Sequence, residues 1–247
     1  MDSWYYLERR FNDFSHTLAF KTGEKIVVKE NNSSLTKRLI QGFLLVGGIL
    51  MCLYLWNNRP VTPKLLIPTE LKGLLLPEPK PLTPFKLLGQ DGDIYDIGRL
   101  KGKWTFVFYG YTHCPDVCPT SLSFLAEVFE QLKEQPGGLE RTQATFISVD
   151  PKRDTPEILK EYAPYFHEKF TGATGTVKEI DAITKQMWAH YELSKEVDEN
   201  GDYAVDHTSA FFLIDPQARL FAIFSEQFQK DPKTVAKAVS LIRKMEN

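Results

Sequence analysis

The sequence predicts a layered α/β domain preceded by a single membrane-spanning helix. Three observations carry this: an uncharged apolar run ending at Trp56, an alternation of strand-like and helix-like segments from Pro84 onward, and a Cys-x-x-x-Cys pair where one such strand meets one such helix. A chain of 247 residues has room for one compact domain with appendages. Although 25% of residues are charged, the formal net charge is -2 and no long block of Lys and Arg occurs. The concentrated basic face that nucleic acid requires is therefore absent from the pattern, which sets DNA and RNA aside.

From Leu39 to Trp56 the chain reads LIQGFLLVGGILMCLYLW, a length that spans hydrocarbon. A cleaved signal sequence is the competing reading. Against it, the run is long, a leader of residues 1-38 precedes it, and NNRPVTP follows where a small-residue cleavage site would stand. Lys25, Lys29, Lys37 and Arg38 precede the span and Arg59 and Lys64 follow it, which places the amino terminus in the cytoplasm and the large carboxy-terminal part outside. Asp2, Glu8 and Asp13 distinguish the leader from an acid-poor mitochondrial transit peptide, so the expected location is a bacterial inner membrane with the main domain in the periplasm, the mitochondrial inner membrane being the alternative. Gly47-Gly48 within the span reads as the ordinary tolerance of membrane helices for glycine. The aromatic-rich stretch Trp4 to Phe20 reads equally as a surface-lying segment or a tail.

Residues 57-83 contain Pro60, Pro63, Pro68, Pro77, Pro79 and Pro81, a density that predicts an extended, semi-rigid tether. The domain is expected over 84-247. FKLLGQDGDIYDI reads as a hairpin turning at Asp91-Gly92. WTFVFYGY, Trp104 to Tyr111, is a near-continuous apolar run, as in a strand buried on both faces. Leu122, Leu125, Val128, Phe129 and Leu132 then recur at helical spacing. ATFISVD reads as a strand, TPEILKEYAPYFHEKF as a helix begun by Thr155 and Pro156 with a bend at Pro164, and VKEIDAITKQMWAHY as a further helix. AFFLID and LFAIFS form two more strands, and Asp231 to Met245 a last helix. This alternation gives the domain a thioredoxin-like character.

Chemistry concentrates in YGYTHCPDVCPTS, Tyr109 to Ser121, at a strand-to-helix junction where the helix amino terminus favours thiolates. The chain has three cysteines, and Cys52 lies in the span, which leaves Cys114 and Cys118 as one candidate pair. Four apart, they fall on one side of a helical turn and can share a ligand. Two thiolates are soft donors that favour copper(I), and a third donor would complete a three-coordinate site. A structural zinc site would need four protein ligands. A disulfide across one turn is also geometrically open, so redox state could gate metal binding. Of five histidines, His207 in DHTSAFFLID immediately precedes a predicted central strand. Spacing does not bring it to the cysteines; likeness to thioredoxin folds does. His113 is read as a modifier of thiolate charge, and His16, His167 and His190 as solvated or capping side chains.

Three separated segments resemble the Sco (SenC) family of copper chaperones: YGYTHCPDVCPTS, VDPKRDTPEILKEYAPYFHEKFTGATG (Val149 to Gly175) and DHTSAFFLIDPQARL (Asp206 to Leu220). The resemblance covers the chain from about Pro84 to its end and leaves the leader without a purpose. It implies a thioredoxin fold, a membrane anchor, one copper ion held by Cys114, Cys118 and His207, and a role in building the copper site of cytochrome c oxidase. The implied partners are the copper-binding subunit of that oxidase and a protein that donates copper. Asp150, Arg153 and Asp154 read either as partner contacts or as an ion-paired loop. The rival function is a thiol-disulfide oxidoreductase acting on a partner's cysteines through a mixed disulfide. Three residues between the cysteines where two are usual, and no proline in DHTS, speak against it. Delivery and reduction can coexist. A peroxidase needs a single low-pKa thiol instead of a pair, and a copper sensor signalling through the leader would need that leader to respond to copper.

Overall fold

The computed structural model describes residues 34-57, 68-199 and 201-246, in two compact units, Met1–Lys64 and Leu65–Asn247. Most of the predicted leader, and residues 58-67 of the predicted tether, lie outside the described residues. The first unit contributes helix α1 (Ser34–Asn57). Its stretch Lys37–Asn57 has 21 residues, a mean hydropathy of 2.0 and no buried part. At about 1.5 Å per residue it is long enough, by length and composition, to cross about 30 Å of hydrocarbon.

The second unit runs β1 (Leu75–Pro81), β2 (Lys86–Gly89), β3 (Ile94–Asp96), β4 (Trp104–Gly110), α2 (Val117–Lys133), β5 (Thr142–Ser148), α3 (Pro156–Phe166), β6 (Phe170–Thr174), α4 (Val177–Gln186), β7 (Tyr191–Leu193), β8 (Val205–His207), β9 (Phe211–Ile214), β10 (Arg219–Phe224) and α5 (Pro232–Glu246). Eight strands form one sheet in the order β1-β10-β9-β4-β5-β6-β2-β3, and β7 and β8 form a separate ribbon. Within the sheet β4, β5 and β6 are parallel, with β9 antiparallel to β4. This is the expected mixed α/β, thioredoxin-like arrangement.

The centre of the sheet explains the apolar run read from sequence. All seven residues of β4 are buried, because β5 and β9 flank it and layers cover both faces. Phe106 places its ring 5.8 Å from that of Phe129 on α2 and 5.9 Å from that of Phe224 on β10. The stripe Leu122, Leu125, Val128, Phe129 and Leu132 is the buried face of α2. Thr155 caps α3 by accepting from Ile158 N, and α3 stays one helix to Phe166 with Pro164 in its last turn. The hairpin at Asp91-Gly92 joins β2 to β3.

Four features depart from the sequence reading. The proline-dense stretch predicted as tether is from Leu75 onward a strand paired with β10, so the domain begins before residue 84. Proline is admitted because β1 is the outermost strand, where a missing N–H breaks no ladder on its open side. Leu71 and Leu74 just before it are buried. Second, FTGAT forms β6; at Gly172 a Cβ would lie 2.6 Å from Leu159 Cβ, so glycine permits the close approach of α3. Third, α3 and α4 end sooner than predicted: His167 is already extended and Trp188 has a φ of 55°. Last, the approach to β9 that carries His207 is itself a strand, β8, paired with β7 in a ribbon that the sequence reading did not include.

Candidate metal centre

The thiol loop leaves β4 at Gly110 and enters α2 at Val117. Cys114 lies in the loop and is half-buried, while Cys118, the second residue of the helix, is 0% exposed. The Cys118 amide donates to Cys114 Sγ at 3.4 Å, a helix-start N–H turned toward the sulfur. Both residues are thiols in this structure. At Gly110 a Cβ would stand 2.7 Å from Cys118 Sγ and 2.7 Å from a Phe146 ring carbon, so the backbone must be bare for the sulfur to sit there.

His207 arrives from the ribbon, where Tyr191 is its cross-strand partner. Its Nε2 is 3.2 Å from Cys118 Sγ, and its Nδ1 is 3.4 Å from Thr208 O. With Nδ1 donating to that carbonyl, the Nε2 lone pair is left facing the sulfurs. Rings of Phe108 and Tyr111 stand edge-on to the imidazole at 5.8 and 6.3 Å and fix its plane. The candidate donor atoms of Cys114, Cys118 and His207 all lie within 4.8 Å of one another, and no other such group occurs among the described residues. Two sulfurs and an imidazole make a soft donor set suited to copper(I).

Electrostatics separates the two thiols. Burial opposes a thiolate at Cys114, but the amides of Cys118, Asp116 and Val117, with the Cys118 side chain, outweigh it and hold its pKa below the ordinary thiol value. Burial drives the Cys118 pKa well above that value, and the charges of Cys114 and Asp154 add to it while the Tyr111 backbone opposes. Burial also lowers the His207 pKa, which keeps the imidazole neutral and able to ligate.

The other histidines fall elsewhere. His113 is 44% exposed, with Nδ1 3.8 Å from Asp154 Oδ1, and does not join the donor group. His167, expected to be solvated or capping, ends α3 but is packed between Phe129 and Phe170 at ring distances of 5.1 and 5.2 Å, because the chain turns inward there to start β6. His190 is exposed and His16 lies outside the described residues. The Asp150–Asp154 loop, open to two readings from sequence, is ion-paired and hydrogen-bonded within the domain. Its two aspartates are fully buried. Asp150 pairs with Arg153 and accepts from the Tyr203 hydroxyl at 2.7 Å, whereas Asp154 reaches into the thiol loop.

Residues 77-243 match the sequence profile of the SCO1/SenC family. The chain belongs to the SCO1/SenC family. Among SCO1/SenC relatives, the SCO2-like protein of Rickettsia felis is 38% identical over 140 residues, 57% of this chain and 67% of the relative. Protein SCO1 homolog 1, mitochondrial, of Arabidopsis thaliana is 36% identical over 163 residues, 65% of this chain but 48% of the relative. The chain thus spans about two thirds of the rickettsial relative and about half of the plant one. Among solved structures, Arabidopsis thaliana ScoI with copper bound has 35% identity and a TM-score of 0.60, covering 66% of this chain and 98% of that one. Bradyrhizobium japonicum ScoI with copper bound has 37% identity and a TM-score of 0.56, covering 65% and 97%.

Proposed function

We propose that this chain is a membrane-anchored copper chaperone that holds one copper ion through Cys114 Sγ, Cys118 Sγ and His207 Nε2 and delivers it to the copper-binding subunit of cytochrome c oxidase. The observation that carries the reading is the convergence of these three donor atoms within 4.8 Å at the mouth of the thiol loop. Its chemistry matches what the ScoI structures of Arabidopsis thaliana and Bradyrhizobium japonicum are described as holding. Helix α1 serves as the single-pass anchor, with residues 1-38 cytoplasmic and the second unit in the periplasm of a bacterium. Relatives from both bacteria and mitochondria keep the mitochondrial inner membrane as the alternative site. A separate copper-donor protein loads the ion.

The two thiols suit transfer. Cys118 is closed off and serves as the fixed ligand, while Cys114 is half-exposed and is the ligand an incoming acceptor thiolate replaces first. The exchange swaps one copper–sulfur bond for another with no change in oxidation state. Thiol-disulfide exchange stays the second reading, favoured by one observation: Cys114 combines exposure with a lowered pKa.

The test is an anaerobic copper(I) titration of the Leu65–Asn247 unit beside Cys114→Ala, Cys118→Ala and His207→Ala. Tight binding of one copper, weakened by each substitution, supports the chaperone. If His207→Ala binds as the unaltered unit does, or binding is weak throughout, the thiol-disulfide reading takes its place.

A further inference from the structure

The VDPKRDTP segment is not absorbed by the donor set, yet one of its residues reaches the thiol loop. Asp154 has a side-chain exposure of 0%, and a carboxylate so placed is costly to bury unless each oxygen finds donors. Its Oδ2 accepts from the Thr112 amide at 2.9 Å and from Ser148 Oγ at 2.5 Å. Its Oδ1 accepts from Thr112 Oγ1 at 2.6 Å. Both polar groups of one loop residue, backbone and side chain, therefore end on this carboxylate, two positions before Cys114. The segment is itself fixed to the sheet, since Val149 N donates to Gly110 O at 2.9 Å and Asp154 N to Asp150 O at 2.9 Å. Because the Thr112 hydroxyl hydrogen goes to Asp154, its oxygen can only accept from His113 Nδ1, 3.2 Å away.

We propose that Asp154 is a positioning residue of the metal centre: by latching Thr112 it fixes the loop so that Cys114 Sγ stays within reach of the atoms of Cys118 and His207. The inference rests on the copper reading of the site. The latch acts through geometry, and asparagine can reproduce it. An amide oxygen in place of Oδ2 still accepts from the Thr112 N–H and Ser148, while the amide NH2 donates to Thr112 Oγ1, whose hydrogen turns to His113 Nδ1. Alanine provides none of these partners, and Thr112→Val removes the hydroxyl half.

The experiment uses the full chain in detergent with Cys52→Ser throughout, comparing Asp154→Asn, Asp154→Ala and Thr112→Val. Val239→Ala, on the buried face of α5, serves as a control for general loss of stability. Copper(I) affinity is read by competition with a chromophoric chelator, stability by urea melts, and Cys114 in the copper-free chain by its rate of reaction with an aromatic disulfide. Expected is a loss of affinity of about tenfold or more for Asp154→Ala, the scale of one charge-assisted hydrogen bond, a smaller loss for Thr112→Val, and binding within about threefold of the parent for Asp154→Asn. The Cys114 rate shifts in the same order. The proposal is overturned if Asp154→Ala binds as its parent does while folded, if Val239→Ala weakens binding equally, or if Asp154→Asn fails to rescue. Should the parent itself bind no copper, the copper reading falls, and the Cys114 rate alone decides the latch: a shift with Asp154→Ala and none with Asp154→Asn keeps it, equal rates discard it.

Discussion

Cys114 and Cys118 are four residues apart and titrate in opposite directions, which fixes the sign of the pH dependence. With the Cys118 pKa raised, its proton is bound in the copper-free chain at neutral pH and must leave when copper arrives. Cys114, its pKa lowered, releases at most one more. His207, lowered below the usual imidazole value, releases none above neutrality. Copper(I) affinity should therefore rise between about tenfold and a hundredfold per pH unit from about pH 7 to pH 8. A flat profile in buffered competition titrations would contradict these protonation states. Gly110→Ala tests packing at the same place. A methyl 2.7 Å from both Cys118 Sγ and Phe146 must push one aside, so a loss of about 1–3 kcal/mol in urea melts is expected, together with weaker copper binding. Unchanged copper affinity would mean the sulfur yields without cost. The cysteines were legible from spacing alone. His207 needed a fold likeness to bring it 89 positions back along the chain to Cys118. The reach of Asp154 into the thiol loop had no sequence signal, since a contact across 42 positions is set by how two loops approach once the sheet exists.

At the scale of elements, what could be read were segments whose own pattern dictates their state. The near-continuous apolar run of β4, the stripe of α2 and the Thr155 cap each carry a local physical cause, and each forms as expected. What could not be read were elements that exist because a neighbour does. Strand β1 looks like spacer because its prolines suit extended chain anywhere, and only the presence of β10 makes it a strand. Strand β6 is short and contains Gly172, a residue that weakens strand propensity but is demanded by contact with α3. The test of β1 is truncation. A fragment beginning at Thr83 loses Leu71 and Leu74, both buried, and should be less stable than Leu65–Asn247 by about 3–6 kcal/mol from that burial alone. Equal urea midpoints would return β1 to the status of tether.

For the whole molecule, the division into two units lets the proposed anchoring be tested apart from the proposed metal binding. Deleting residues 34-57 should move the chain from the membrane pellet to the soluble fraction while copper stoichiometry holds at one. Continued sedimentation with membranes would assign the attachment to the second unit instead. The outer strands have a bearing on how such chains coexist. At one border of the eight-stranded sheet stands β1, LLPEPKP, in which three of seven residues lack an N–H; at the other stands β3, only three residues long. Neither border offers the long row of unpaired donors on which a neighbouring copy could add its own strand. Copies held in one membrane by the proposed anchor, at a local concentration far above that of a free protein, would thus meet without zipping together.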